Sequence, residues 1–274
     1  MNYQQESKLC LARILDQVSL QGIAKTQQQA FKDRLERYFP ELFSQLLRVY
    51  DQRYDLHYHL QALVELLVEQ YKQRSVASKR KDQKRLDNPH WFKSEQMLGM
   101  ACYVDLVADD LADLQTKIPY YQQLGITYLH LMPLYKSPEG DNDGGYAVSD
   151  YRQVSPNLGT MQQLKKLATA LDKAGISLVL DFVFNHTSDE HEWALAAKQG
   201  DETYQEYYYM FDDRSIPNQY EQTIREIFPQ VRRGSFTFNE ESQKWVWTTF
   251  NSFQWDLNYS NPSVFRGIVG EMLF

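Results

Sequence analysis

Two short stretches hold the side chains best suited to act on a small molecule. Asp143-Gly-Gly-Tyr146 brackets two glycines with a carboxylate and a phenol. Asp181-Phe-Val-Phe-Asn-His186 carries a carboxylate, an amide and an imidazole. Metal chemistry is the first possibility to weigh. His186 and His191 stand five residues apart beside Asp181, a spacing that fits no common ligand pattern. Glu139, Asp141, Asp143, Gly144 and Asp150 occupy positions 1, 3, 5, 6 and 12 of a calcium-type loop. However, Pro133 and Pro138 keep a helix from entering that loop, and position 12 is Asp instead of Glu. No metal and no cofactor is therefore expected. Aromatic residues reach 14%, with 19 Tyr, which suits flat apolar ligands such as sugar rings and equally a Tyr-rich core.

Alternating elements must position these residues. From about residue 99 the pattern reads strand, helix, strand, helix, strand. Residues 101–107 form a buried-type strand, followed by a helix with Leu111, Leu114 and Ile118 that ends at Gly125. Ile126–Leu131 is the second strand. Thr160 and Gln163 make a capping box for a helix ending at Gly175, and Ile176–Val183 is the third strand. Apolar strands alternating with amphipathic helices imply a parallel sheet covered by helices. A doubly wound sheet and a β/α barrel both fit, and the lack of a glycine-rich phosphate loop after the first strand weakens the nucleotide-binding version. The long segments 132–159 and 185–260 follow strand ends, where a barrel carries its active site. The second is long enough to be an inserted small domain.

Residues 1–98 have a different texture, with one glycine (Gly22) and two prolines (Pro40, Pro89). Leu56, Leu60, Leu63, Leu67 and Tyr71 make one helical stripe. Phe31, Leu35 and Tyr38 mark a shorter helix with Thr26 and Gln29 as its capping box, and another helix follows Pro40. A first helix lies near 7–18. The division expected is a helical domain over 1–95, strands one to three of the barrel over 96–184, an inserted domain over 185–260 and the barrel's third helix over 261–274, opened by Asn261-Pro262. That helix is apolar and uncapped at Phe274, and three parallel strands cannot close a barrel. The expectation is a chain cut short.

The net charge of −7, from 29 basic and 36 acidic residues, argues against a nucleic-acid or anionic-membrane partner. The basic run 72–85 reads as a solvated helix face or linker in preference to an anion-binding patch, because no aromatic residue interleaves with it. Two distant cysteines, Cys10 and Cys102, suit a reducing compartment. Neither a signal peptide nor a membrane span is visible, so the expected location is cytoplasmic.

Four motifs in order resemble the GH13 (α-amylase) family: Gly125-Ile-Thr-Tyr-Leu-His-Leu-Met-Pro133, Asp143-Gly-Gly-Tyr146, Asp181-Phe-Val-Phe-Asn-His186 and Gln254-Trp-Asp-Leu-Asn258. The stretches 185–193 and 247–259, with the helical N-terminal region, look like amylosucrases and related sucrose hydrolases. The resemblance implies an α/β fold: an incomplete (β/α)8 TIM barrel, first three strands plus domain B, preceded by an all-α domain. It implies a retaining reaction on sucrose, with fructose leaving and an α-glucan acceptor or water taking the glucose. That chemistry uses two carboxyls roughly 5–5.5 Å apart, which the family places on strands 4 and 5, with a third acid after strand 7. No catalytic residue is therefore assigned here.

By the same resemblance, Asp143 would hold sugar hydroxyls or be held by a partner Arg that this chain lacks, His186 would donate to a sugar hydroxyl, Tyr146 would stack on the glucosyl ring and Phe250 would wall the pocket. Arg225 and Phe228 are candidate acceptor contacts. Asp181 and Asn185 would support the rim. Sucrose hydrolase, trehalose synthase and α-1,6-glucosidase are near rivals within the family. A non-catalytic carbohydrate-binding or interaction fragment is the alternative outside enzyme chemistry.

Overall fold

The computed structural model describes residues 3–51 and 53–274, which form two compact units: 1–87 with 259–274, and 88–258. The first stretch of the helical unit therefore runs to Asp87, ahead of the change in texture near 95, and its second stretch is the segment from Tyr259, which was expected in the barrel.

The helical unit starts with α1 (Tyr3–Gln17), α2 (Lys25–Tyr50), α3 (Leu56–Gln73) and α4 (Val76–Asp87). The sequence breaks α2 at Pro40, yet one helix runs through it. An interior proline removes a backbone hydrogen bond and costs about 3 kcal/mol. The offset is a continuous buried stripe of Phe31, Leu35, Phe39, Phe43, Leu46 and Tyr50, with Phe39 only 1% exposed. The Thr26 capping box is not formed, because α2 starts two residues earlier, with Ala24 in the cap position in place of Thr26. Gln28 instead ties down the incoming chain, donating to the Ile23 carbonyl at 2.7 Å. In α3, Leu56, Leu60 and Leu63 of the expected stripe are buried, while Leu67 and Tyr71 pack partly exposed against the core. Helix α4 buries no residue, as a solvated basic face should.

In the second unit, β1 (Gly99–Cys102) precedes α5 (Leu111–Thr116), α6 (Ile118–Gln123) and β2 (Tyr128–Leu131). The strand is shorter and earlier than the apolar run 101–107, whose end turns into a 3-10 helix at Val104–Leu106. The expected single helix is two short ones, since Pro119 opens α6. Next come the ribbon strands β3 (Tyr135–Lys136) and β4 (Asp150–Val154), helix α7 (Met161–Lys173) and strand β5 (Ser177–Leu180). Thr160 and Gln163 form the capping box in full, and Gly175 closes the helix at φ +78°.

Strands β1, β2 and β5 form a parallel sheet in that order. Their tips are level: Cys102 pairs with Leu131, and Leu131 with Leu180. Leu129 and Leu131 point into a core with Leu111, Leu114, Leu167 and Leu171 and are fully buried. By alternation His130 faces the other side, half-buried.

Beyond β5 the chain leaves the sheet. Strand β6 (His186–Ser188), helices α8 (Glu192–Lys198) and α9 (Glu202–Gln205), strand β7 (Met210–Phe211), helix α10 (Ser215–Tyr220) and strands β8 (Phe236–Asn239), β9 (Lys244–Trp247) and β10 (Gln254–Asp256) follow. Strands β7, β9 and β8 make an antiparallel sheet, and β10 returns to pair with β6. Helix α11 (Pro262–Leu273) starts on the Asn261 cap and belongs to the helical unit. It packs on α3, with Phe265 and Val269 against that unit's core, and Tyr50 donates to the Tyr259 carbonyl at 2.8 Å.

Candidate functional site

The site lies just past the level tips of β2 and β5. Asp181 is the first residue beyond β5, and its N–H donates to the Leu131 carbonyl at 3.1 Å. After β2, the loop folds back through three successive left-handed residues: Asp143 (φ 55°), Gly144 (φ 65°) and Gly145 (φ 89°). Aspartate tolerates that region better than most residues. The glycines have a second reason: a Cβ on Gly144 would sit 3.1 Å from the Tyr103 hydroxyl, and one on Gly145 3.1 Å from Pro133 Cβ. Asn142 fastens the turn, accepting from the Gly145 N–H at 3.0 Å and donating to the Pro138 carbonyl at 3.0 Å.

This turn aims Tyr146 at Asp181, and the phenol donates to Asp181 Oδ2 at 3.0 Å. Burial, together with the Asp181 carboxylate, pushes the Tyr146 phenol up to about 12, so it remains a donor at neutral pH. His130 Nε2 stands 3.9 Å from the same oxygen.

Strand β6 brings in His186, which is 4% exposed. Its Nε2 lies 3.1 Å from the Tyr146 carbonyl and 3.0 Å from the Gln254 amide nitrogen, and its Nδ1 lies 3.3 Å from the Asn185 amide nitrogen. Burial pushes the ring down to about 4, against the opposing pull of the Tyr146 carbonyl and Asp143. A neutral imidazole carries one lone pair and one N–H, so the ring accepts from only one of the two amides, and its tautomer sets which. Phe250 covers His186 at a 5.1 Å ring separation, and Phe228 lies tilted beyond it at 6.2 Å from Phe250.

The β6–β10 pairing sets Asp256 opposite His186 and Gln254 opposite Ser188. Gln254 Nε2 donates to Asp143 Oδ2 at 3.0 Å. Asp256 accepts from Asn185 Nδ2 and from the Thr249 N–H, both at 2.6 Å. Burial raises the Asp256 carboxyl to about 6, although these donors pull it the other way.

Of the residues singled out from sequence, Asp143, Tyr146, Asp181, Asn185, His186, Phe250 and Phe228 form one connected cluster. Arg225 lies exposed on the loop leading to Phe228. The calcium-type loop is not gathered around a centre: Asp143 faces Gln254, whereas Asp150 accepts from the Arg152 N–H and from Gln153, each at 2.7 Å. Among the described residues no three His, Cys, Asp or Glu side chains group to hold a metal. Sequence reasoning missed Gln254 and Asp256 as members of the site. The available signal was their alternation in Gln254-Trp-Asp256, which in a strand puts both on one face.

Residues 73–274 match the family described as alpha amylase, catalytic domain. The chain belongs to the alpha-amylase family. Among its relatives in that family, Maltase 1 of Drosophila virilis is 34% identical over 195 residues, 69% of this chain and 30% of that protein. The trehalose synthase/amylase TreS of Mycolicibacterium smegmatis is 34% identical over 191 residues, 68% of this chain and 31% of that one. In structure, an isomaltulose synthase variant of Erwinia rhapontici NX5, solved with its natural substrate sucrose, aligns with a TM-score of 0.58 at 28% identity, covering 66% of this chain and 32% of that one. The parallel strands and helices of the second unit are thus the opening of an alpha-amylase-type (β/α)8 barrel. The chain spans about a third of the length of these relatives.

Proposed function

We propose that this chain supplies one wall of the glucosyl-binding pocket of an α-glucoside-processing enzyme of the alpha-amylase family. The observation that supports it is the hydrogen-bonded cluster of Asp143, Gln254, His186 and Tyr146 at level strand tips. Such a cluster offers a carboxylate, an imidazole edge and a phenol ring to one hexose. Asp143 and His186 hold hydroxyls, Tyr146 stacks beneath the ring, Phe250 closes the side and Phe228 and Arg225 lie toward the acceptor. Asp181 and Asn185 hold their neighbours in place. No residue of this chain is proposed as nucleophile or acid/base, which in the retaining mechanism belong to strands 4 and 5.

Sucrose is the first proposed donor, with transfer to an α-glucan acceptor as in amylosucrases. The stretch 247–259 and the helical region support that choice, as does the sucrose in the isomaltulose synthase neighbour. Hydrolysis or isomerisation of maltose- or trehalose-type substrates is the second reading, favoured by the relatives' own names. Among the described residues no helix is long and apolar enough to cross a membrane; the cytoplasm is the proposed location, which two distant free thiols suit.

Saturation-transfer NMR of this chain with sucrose, maltose and trehalose tests the pocket. Saturation should fall on the glucosyl ring and vanish in His186→Ala. No transfer from any of the three refutes the pocket. The complete enzyme should release fructose from sucrose; trehalose or maltose turnover with no fructose release decides for the second reading.

A further inference from the structure

Gln254 lies outside the roles assigned above, and it is fully buried. A buried primary amide carries two N–H donors and an acceptor, and each must find a partner or cost stability. Here the acceptor side is held twice: Oε1 takes the Asn251 N–H at 3.0 Å and Asn251 Nδ2 at 2.9 Å. That grip settles the orientation of the amide plane. It turns Nε2 toward the site, at 3.0 Å from Asp143 Oδ2 and 3.0 Å from His186 Nε2.

We propose that Gln254 is a positioning residue that clamps Asp143 and His186 at a fixed separation and so sets the sugar affinity of the pocket. The inference rests on the glucosyl-pocket reading and deepens it. Three observations carry it. Asp143 and Gln254 are 111 residues apart, so their bond ties the loop after β2 to the returning strand β10. Asp143 is exposed and held at φ 55°, a backbone state that gains from an anchor at the side chain. The bond engages Oδ2, one of the two carboxylate oxygens of Asp143. An amide also has no proton to lose near neutral pH. It can therefore sit between a carboxylate and an imidazole without changing charge, which neither Glu nor His could do there.

Isothermal titration of the chain with methyl α-D-glucoside and with sucrose tests the clamp. Gln254→Leu should weaken both sugars about tenfold, the effect of one hydrogen bond to a charged group. In an Asp143→Ala background the same change should cost clearly less than tenfold, because only the hold on His186 is then left to lose. Ring-nitrogen NMR should show the His186 resonances moved and those of His59 unchanged. Asn251→Ala, which loosens the grip on Oε1 and leaves Gln254 in place, should weaken binding severalfold; it keeps the test open if Gln254→Leu does not fold. Unchanged affinity in both variants overturns the clamp, and so does a full tenfold loss that persists without Asp143. If the wild-type chain binds neither sugar, the pocket reading fails. The His186 ring-nitrogen signature then decides the clamp by itself, and unmoved resonances overturn it.

Discussion

Tyr146 donates its phenolic proton to Asp181, 35 residues away in the chain, at 3.0 Å. The bond joins the loop after β2 to the end of β5, the two segments that deliver the site. Tyr146→Phe keeps the ring and loses the bond. A hydrogen bond to a charged group contributes about 1–3 kcal/mol, and partial exposure puts this one at the lower end. Urea denaturation should show that loss. Sugar binding should survive Phe and fall sharply with Ala, since stacking needs only the ring.

Stability should drop as pH falls below about 6.5. His186 and His191 are both pushed down to about 4, in each case chiefly by burial. Between pH 6.5 and 4 the unfolded chain takes up protons that the folded chain refuses, so the contribution present above 6.5 is lost on acidification. Its size is up to about 3 kcal/mol per ring. Asp256, raised to about 6, acts in the opposite direction: its contribution is present below about 4 and is lost as pH rises through 6. His191 also caps α8, accepting from the Trp193 N–H at 3.2 Å. Asn can take over that cap. His191→Asn should therefore flatten the acid limb of a melting-temperature profile; an unchanged limb would show that His191 does not titrate as its burial implies.

Gly145→Ala should destabilise more than Gly140→Ala. Both have positive φ, +89° and +82°, and share the backbone strain of a left-handed residue. Only at Gly145 would the new Cβ crowd another residue, with Pro133 Cβ at 3.1 Å and its carbonyl oxygen at 3.3 Å. The added cost over Gly140→Ala should be about 1 kcal/mol or more. Because Asp143 and Tyr146 flank Gly145, sugar binding should weaken with it. Paired chemical denaturation and titration measure both effects.

Leu129→Ala removes a fully buried side chain from the centre of the parallel sheet. The expected loss is about 2–5 kcal/mol, read from the urea midpoint. A loss under 1 kcal/mol would mean that the core around β2 collapses easily onto the space left.

Local patterns carried well from sequence to structure. The Thr160–Gln163 capping box, the Gly175 turn and the Asn261-Pro262 start depend on residues within four positions of one another, and all are found as read. The errors arose where distant packing decides. Pro40 lies inside α2 because aromatic side chains on one face outweigh its local penalty. The tail of the apolar run after β1 is a helical turn, which buries Val104 without a strand. At the site, the resemblance of the motifs to a known family singled out Asp143, Tyr146 and His186, which lie in one hydrogen-bonded cluster. Nothing local to Gln254 or Asp256 indicated partners 111 and 71 residues away, since those pairings arise from the return of β10 alongside β6.

The pairing of β10 with β6 also bears on how this architecture can change. Thr249 through Asp256 reaches His186, Asn185 and Asp143 within eight consecutive positions. A single inserted or deleted residue there would rotate every one of those contacts to the wrong face at once. The segment between β7 and β8 carries no such register. Length variation, whether natural drift or deliberate loop grafting, should therefore accumulate in the second segment and be purged from the first.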